Sequence, residues 1–156
     1  MLKNRCLVFA LLFILASCDV NNSDSIDLVE IERLETFYPF NDIYPNGYVF
    51  NSEYRWELFW KANTGDGAIY NNDGTDLEIP VIDFENKTLI GVFYDRMGKL
   101  YLPNDPDVYY SESRLVVELD SLVQINDRDA TYVPYLLFTV KKTDAEVLFT
   151  GNTPNN

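Results

Sequence analysis

Apolar and polar positions follow different rhythms along the chain, and the changes of rhythm divide it into elements. Residues 28–34 alternate partially and predict a first strand. Pro45, Asn46 and Gly47 signal a turn, with a short strand after it at Tyr48, Val49 and Phe50. Residues 52–62 carry the one strong helical pattern. Trp56, Phe59 and Trp60 fall at i, i+3 and i+4, Glu57 and Lys61 form a favourable pair four apart, and Asn51 or Ser52 can cap the start. Glu53 sits in the first turn, where the helix dipole favours a negative charge, and Asn63, Thr64 and Gly65 are the stop signal.

Beyond a long polar loop at 63–79, the pattern becomes strand-like. Val81, Ile82, Asp83 and Phe84 lead through a turn at 85–87 into residues 88–94, which are apolar on both faces and predict a central strand. A short strand at 108–110 follows a Pro/Asp-rich turn. Leu115, Val117, Leu119, Val123 and Ile125 share one parity against Glu118, Asp120 and Gln124, the signature of a half-buried strand or strand pair. Residues 135–141 and 146–150 read as a final hairpin turning at Lys142, Thr143 and Asp144. One helix amid a run of strands predicts an α+β fold, a mostly antiparallel sheet packed with one principal helix.

The start of the chain has another character. Lys3 and Arg5 precede an apolar run at 6–16, too short for a membrane-spanning helix, which needs about 20 residues. Leu15, Ala16, Ser17 and Cys18 then resemble the lipobox of bacterial lipoproteins, in which cleavage before the cysteine leaves diacylglycerol on its sulfur. The expected organisation is a signal peptide at 1–17, a lipid anchor at Cys18 with a flexible tether through 27, one domain at 28–150 and a loose tail at 151–156. Two or three lipid chains, at about 0.8 kcal/mol per buried methylene, anchor a protein stably. The expected location is therefore the bacterial cell envelope, the outer membrane in particular, with contact to the membrane through Cys18. Asp19 resembles a sorting cue whose meaning differs between bacterial groups.

Charge and chemistry narrow the functional classes. The chain has 12 basic and 25 acidic residues, and loss of Lys3 and Arg5 takes its net charge from −13 to −15. So acidic a surface repels nucleic acid and anionic headgroups, so no nucleic-acid partner is expected. No histidine is present, which removes the commonest general base and imidazole metal ligand. Cys6 leaves with the signal peptide and Cys18 is blocked by lipid, so thiol catalysis and disulfides go too. With 25 acidic residues, carboxylate pairs are inevitable, and none sits in a distinctive context for glycoside hydrolysis. No nucleophile-elbow, Ser-x-x-Lys or nucleotide-loop motif occurs.

Three features invite a ligand reading. Asp66, Asn71, Asn72, Asp73 and Asp76 offer hard oxygen donors for calcium. EF-hand spacing fails, because taking Gly74 as the loop glycine puts Ile69 at the first ligand position and Pro80 at the last; a solvated turn-rich loop is preferred. Trp56 and Trp60 could stack on a sugar, but their spacing beside Phe59 fits helix docking better. Tyr109 and Tyr110 send one ring to each face of their strand, so one of them can be exposed.

The order of segments resembles the PrcB C-terminal domain family, small secreted or lipid-anchored bacterial domains named for a lipoprotein subunit of a surface protease complex. The motifs are Trp56-Glu57-Leu58-Phe59-Trp60, the run from Pro80 through Asp83-Phe84 to Leu89-Ile90-Gly91-Val92-Phe93, and the closing Pro134-Tyr135-Leu136-Leu137-Phe138-Thr139-Val140-Lys141-Lys142 with Val147-Leu148-Phe149. The resemblance covers roughly residues 28–150. It departs at 95–99, Asp-Arg-Met-Gly-Lys, and at the Pro/Asp loop 103–107, where the family has a glycine-rich turn and a hydrophobic hairpin. It implies protein association rather than catalysis, with no catalytic residue, cofactor or metal. The leading expectation is thus a membrane-tethered, non-enzymatic interaction or accessory subunit of an envelope or surface protease complex, partnered by an envelope or surface protein. The alternative is a surface ligand-binding module for glycan or calcium, and burial of Trp56 and Trp60 would favour the first.

Overall fold

A computed structural model describes residues 26–34, 40, 43–64, 78–95, 99–129 and 133–154. The expected lipidation site Cys18 and the loop residues Asp66, Asn71, Asn72, Asp73 and Asp76 lie outside the described residues. The elements are β1 (Glu32–Arg33), β2 (Asn46–Phe50), α1 (Glu53–Thr64), β3 (Lys87–Phe93), β4 (Lys99–Leu102), β5 (Asp107–Ser111), β6 (Arg114–Leu119), β7 (Val123–Asp129), β8 (Tyr135–Lys141) and β9 (Val147–Gly151). They form a four-stranded antiparallel sheet ordered β1-β8-β3-β2, a three-stranded sheet ordered β5-β6-β9, and a β4-β7 ribbon. One principal helix with mostly antiparallel sheets is the α+β architecture that the pattern predicts.

The four-stranded sheet is the middle layer. Residue parity sends Ile90 and Val92 of β3, with Leu136, Phe138 and Val140 of β8, to one face, where they meet Val108, Leu115, Val117 and Leu119 of the three-stranded sheet. The other face presents Phe50, Leu89, Phe93 and Leu137 to Phe40, Trp56 and Trp60. β3 is covered on both sides, which is why its sequence is apolar at successive positions.

The helix docks through aromatic rings. Trp56, Trp60 and Thr64, four residues apart, are buried on one stripe. Trp56 lies edge-on to Phe50 and Trp60, with centroids at 5.2 and 5.4 Å, and its Nε1–H donates to the Pro80 carbonyl at 3.1 Å. The helix runs two residues beyond the expected stop. Asn63 and Thr64 side chains donate back to the carbonyls of Phe59 and Trp60, both at 2.7 Å, as second donors beside the helix's own bonds one turn earlier. At the start, the Ser52 carbonyl accepts from Trp56 N–H, while the Asn51 side chain accepts from the Thr88 hydroxyl.

Four local expectations are corrected. The first strand shrinks from 28–34 to Glu32–Arg33, because the segment spans both sheets: Leu28 bridges Tyr109, whereas Glu32 and Arg33 pair with Thr139 and Phe138. Val81 to Asp83 are not a strand. Asp83 organises a turn whose carbonyl accepts from Asn86 and Lys87 N–H and whose carboxylate accepts from Glu85 N–H and from the Asn86 backbone and side chain. Those hydrogen bonds, the Asn86 side chain foremost, hold the Asp83 carboxyl below its ordinary range.

The final hairpin does not form. β8 already has β3 on one side and β1 on the other, so neither edge is free for β9. Residues 142–146 instead turn a corner between sheets: Lys142 N–H donates to the Asn86 carbonyl, Thr143 N–H to the Thr88 hydroxyl, and the Glu146 carbonyl accepts from Leu115 N–H. β9 then lies parallel to β6, with Leu115 opposite Val147 and Leu119 opposite Gly151. It runs one residue into the expected tail, and Asn152 N–H donates to the Leu119 carbonyl.

Val123 and Ile125 do not continue the buried face of β6. Asp120 accepts from Ser121 N–H and the Asn104 side chain where the chain leaves that sheet, and β7 pairs with β4 in the ribbon. Leu102, Val123 and Ile125 are consequently exposed.

Candidate interaction surface

The outward face of the three-stranded sheet carries an apolar row. Paired residues share a face, so register identifies its members. Leu28 is bridged to Tyr109, Tyr109 pairs with Val116, and Val116 pairs with Leu148. Four chain segments thus contribute one residue each to a line across the sheet. Its ends are open, Leu28 at 61% and Leu148 at 37% exposure, while Val116 in the middle is 5% exposed. Tyr109 is half-buried and its hydroxyl donates to Glu118 at 3.2 Å. Loss of hydration first, then Glu118 and Asp107, push the Tyr109 phenol above its usual range. Tyr110, on the opposite parity, is the exposed member of the pair.

Charges border this row. On one side lies the Asp107, Glu118 and Thr150 rank; on the other, Ser111 pairs with Arg114, whose guanidinium meets Glu112 at 3.2 Å. Asp107 and Glu118 continue into a shallow depression of about 320 Å³ completed by Asp105, Leu119 and Asp120. Asp105 pairs with Arg33 at 2.9 Å. The Asp120 carboxyl is held below its usual range by Ser121 N–H and then by Asn104. These acids stabilise loop ends, and among the described residues no group of three or more Cys, Asp or Glu is placed to hold a metal ion.

A second depression, about 480 Å³, opens at the far end of β8 between Val29 to Glu32 and the Asn86, Lys87, Val140 and Lys141 corner. Lys87 is engaged there by Glu32, and an adjoining hollow of about 170 Å³ reaches Pro80 to Asp83. Lysine, glutamate and aliphatic side chains wall this corner, and Lys87 is already committed to Glu32.

Trp56 and Trp60, at 1% and 7% exposure, belong to the core and offer no stacking platform. The Asp83-Phe84 pair is structural, the aspartate shaping the turn into β3 and the phenylalanine packing on the helix-side cluster. Lys142, at the end of the closing segment, donates to the Asn51 carbonyl at 2.9 Å and ties the helix entry to the corner. Leu28, Val116 and Leu148 were not sequence candidates. Each is an ordinary apolar residue of a strand-like stretch, and only cross-strand register makes them neighbours.

Compared with known proteins, the chain matches no family model, no curated protein and no solved structure.

Proposed function

We propose that this protein is a membrane-tethered, non-enzymatic interaction domain, an accessory subunit of an envelope or surface protein complex such as a protease complex. The observation that carries the reading is the Leu28, Tyr109, Val116 and Leu148 row, an ordered apolar line open to solvent at both ends and bordered by charge. Exposed apolar side chains with a polar rim are the pattern of association sites, and Leu28 and Leu148 are the exposed members of this row. The lipobox-like segment ending at Cys18 supports tethering, and the resemblance to the PrcB C-terminal domain family supports association. Nine residues separate Cys18 from Leu28, so the Leu28 end of the row stays within about 35 Å of a membrane holding the lipid.

Crosslinking in the native cells, then pulldown of the lipidated protein and mass spectrometry, tests this. One dominant envelope protein is the expected product. Enzyme-like cleavage of a peptide or glycan library by the purified protein would instead overturn the non-enzymatic reading.

A further inference from the structure

The open edge of the three-stranded sheet gives the interaction a mode. Hydrogen bonds at the two ends of β9, Leu115 N–H to the Glu146 carbonyl and Asn152 N–H to the Leu119 carbonyl, show that even-numbered residues turn their peptide groups toward β6. In a parallel ladder, the intervening residues then point theirs the other way. The peptide groups of Val147 and Phe149 therefore face the outer edge, and β9 ends the strand order of its sheet.

Among the described residues the edge is also unguarded. Its sequence, Val-Leu-Phe-Thr-Gly, contains no Lys, Pro or bulge of the kind that blunts exposed edges. The other edges of the two larger sheets are protected. β1 is only two residues long, β2 follows Pro45 and runs straight into the helix, and β5 is bridged by Leu28 with Val29 N–H bound to the Val108 carbonyl. The apolar row ends at this same edge, on half-exposed Leu148. Alternation puts Glu146 and Thr150 on the Leu148 face, and Glu118 lies beside Thr150. An added strand would thus meet an apolar position with Glu146 on one side and Glu118, behind Thr150, on the other; Arg114, on β6 toward Glu146, is engaged by Glu112.

We infer that β9 is a docking edge that accepts one extended segment of a partner protein, with an apolar residue against Leu148 and Lys or Arg residues toward Glu146 and Glu118. Main-chain hydrogen bonds supply affinity and alternate side chains supply specificity. A second copy of this chain fits less well, because β9 against β9 about Leu148 would set Glu146 of one copy opposite Thr150 of the other, with Glu118 on the next strand and no basic residue of β9 to meet either carboxylate. The inference rests on the interaction reading above but is more specific, and the two can fail separately.

The test places a photo-crosslinking amino acid at position 148, and in a separate strain at position 54, since Tyr54 is 71% exposed on the helix. Both use the full-length lipidated protein in its own cells. The expected result is an adduct at 148 that maps to a partner stretch alternating apolar and basic residues, reduced about tenfold or more by Leu148→Lys or Glu146→Lys with an unchanged melting temperature. An adduct from position 54 alone, a self-adduct at 148, or an adduct to an acidic or helical segment would overturn β9 docking and leave the interaction reading standing. No adduct at either position would sink both. Should Leu148→Lys lower the melting temperature, Glu146→Lys and the mapped adduct decide the matter, because Glu146 is exposed.

Discussion

Replacing Trp56 with Ala tests whether that ring is structural or reserved for a ligand. The side chain is 1% exposed, lies within 5.4 Å of Phe50 and Trp60 ring centres, and bonds to the Pro80 carbonyl. Truncating a buried aromatic ring costs about 3–5 kcal/mol from lost transfer energy and the cavity left behind. The hydrogen bond adds about 0.5–1.5 kcal/mol, toward the low end because Pro80 is only half-buried and water can replace the donor. Against the roughly 5–15 kcal/mol stability of a domain, the variant should be severely destabilised. Urea unfolding followed by far-ultraviolet circular dichroism reads this directly: with a slope of about 2 kcal/mol per molar, the midpoint falls by about 1.7–2.8 M. Leu58→Ala on the same helix, 52% exposed, should change stability by no more than about 0.5 kcal/mol. A Trp56→Ala loss below about 1 kcal/mol, similar to that control, would refute the docking argument.

Gly47→Ala should cost about 1–3 kcal/mol, because an added Cβ would lie 2.5–2.6 Å from the Phe149 ring between the two sheets; pairing it with Phe149→Leu should recover part of the loss in a double-mutant cycle. The β5–β6 hairpin turns on Glu112 and Ser113 with φ of 49° and 68°, so Ser113→Gly should raise stability by about 1 kcal/mol, and a lower melting temperature would contradict the strain assigned there. Burial pushes the Tyr94 phenol up to about 12. Because its folded value is raised, its stabilising contribution is complete below pH 10 and is lost as pH climbs toward 12. Wild type should therefore lose about 2–3 kcal/mol relative to Tyr94→Phe over that interval in alkaline unfolding curves, and parallel curves would show that the phenol ionises as freely folded as unfolded.

What local rhythm encodes, the sequence alone determined. Trp56 and Trp60 lie four apart and must share a helix face, whatever that face meets. The apolar run from Leu89 to Phe93 has no polar side to offer water, so it had to be an inner strand, and the structure places β3 between two cores. The class followed from one such helix among many strands. Pairing is different, because it joins residues distant in the chain and carries no local mark. β9 looks like the return arm of a hairpin until β8 is found flanked by β1 and β3. The Glu112-Ser113 turn was silent because it lacks the Gly or Asn that positive φ usually selects. Val123 and Ile125 have the parity of a buried face but lie on a ribbon with no layer over them. The row of Leu28, Tyr109, Val116 and Leu148 exists only through three registers between four segments. Periodicity says which side of a strand is apolar; only the tertiary structure decides what covers that side, because burial depends on the layers around a strand.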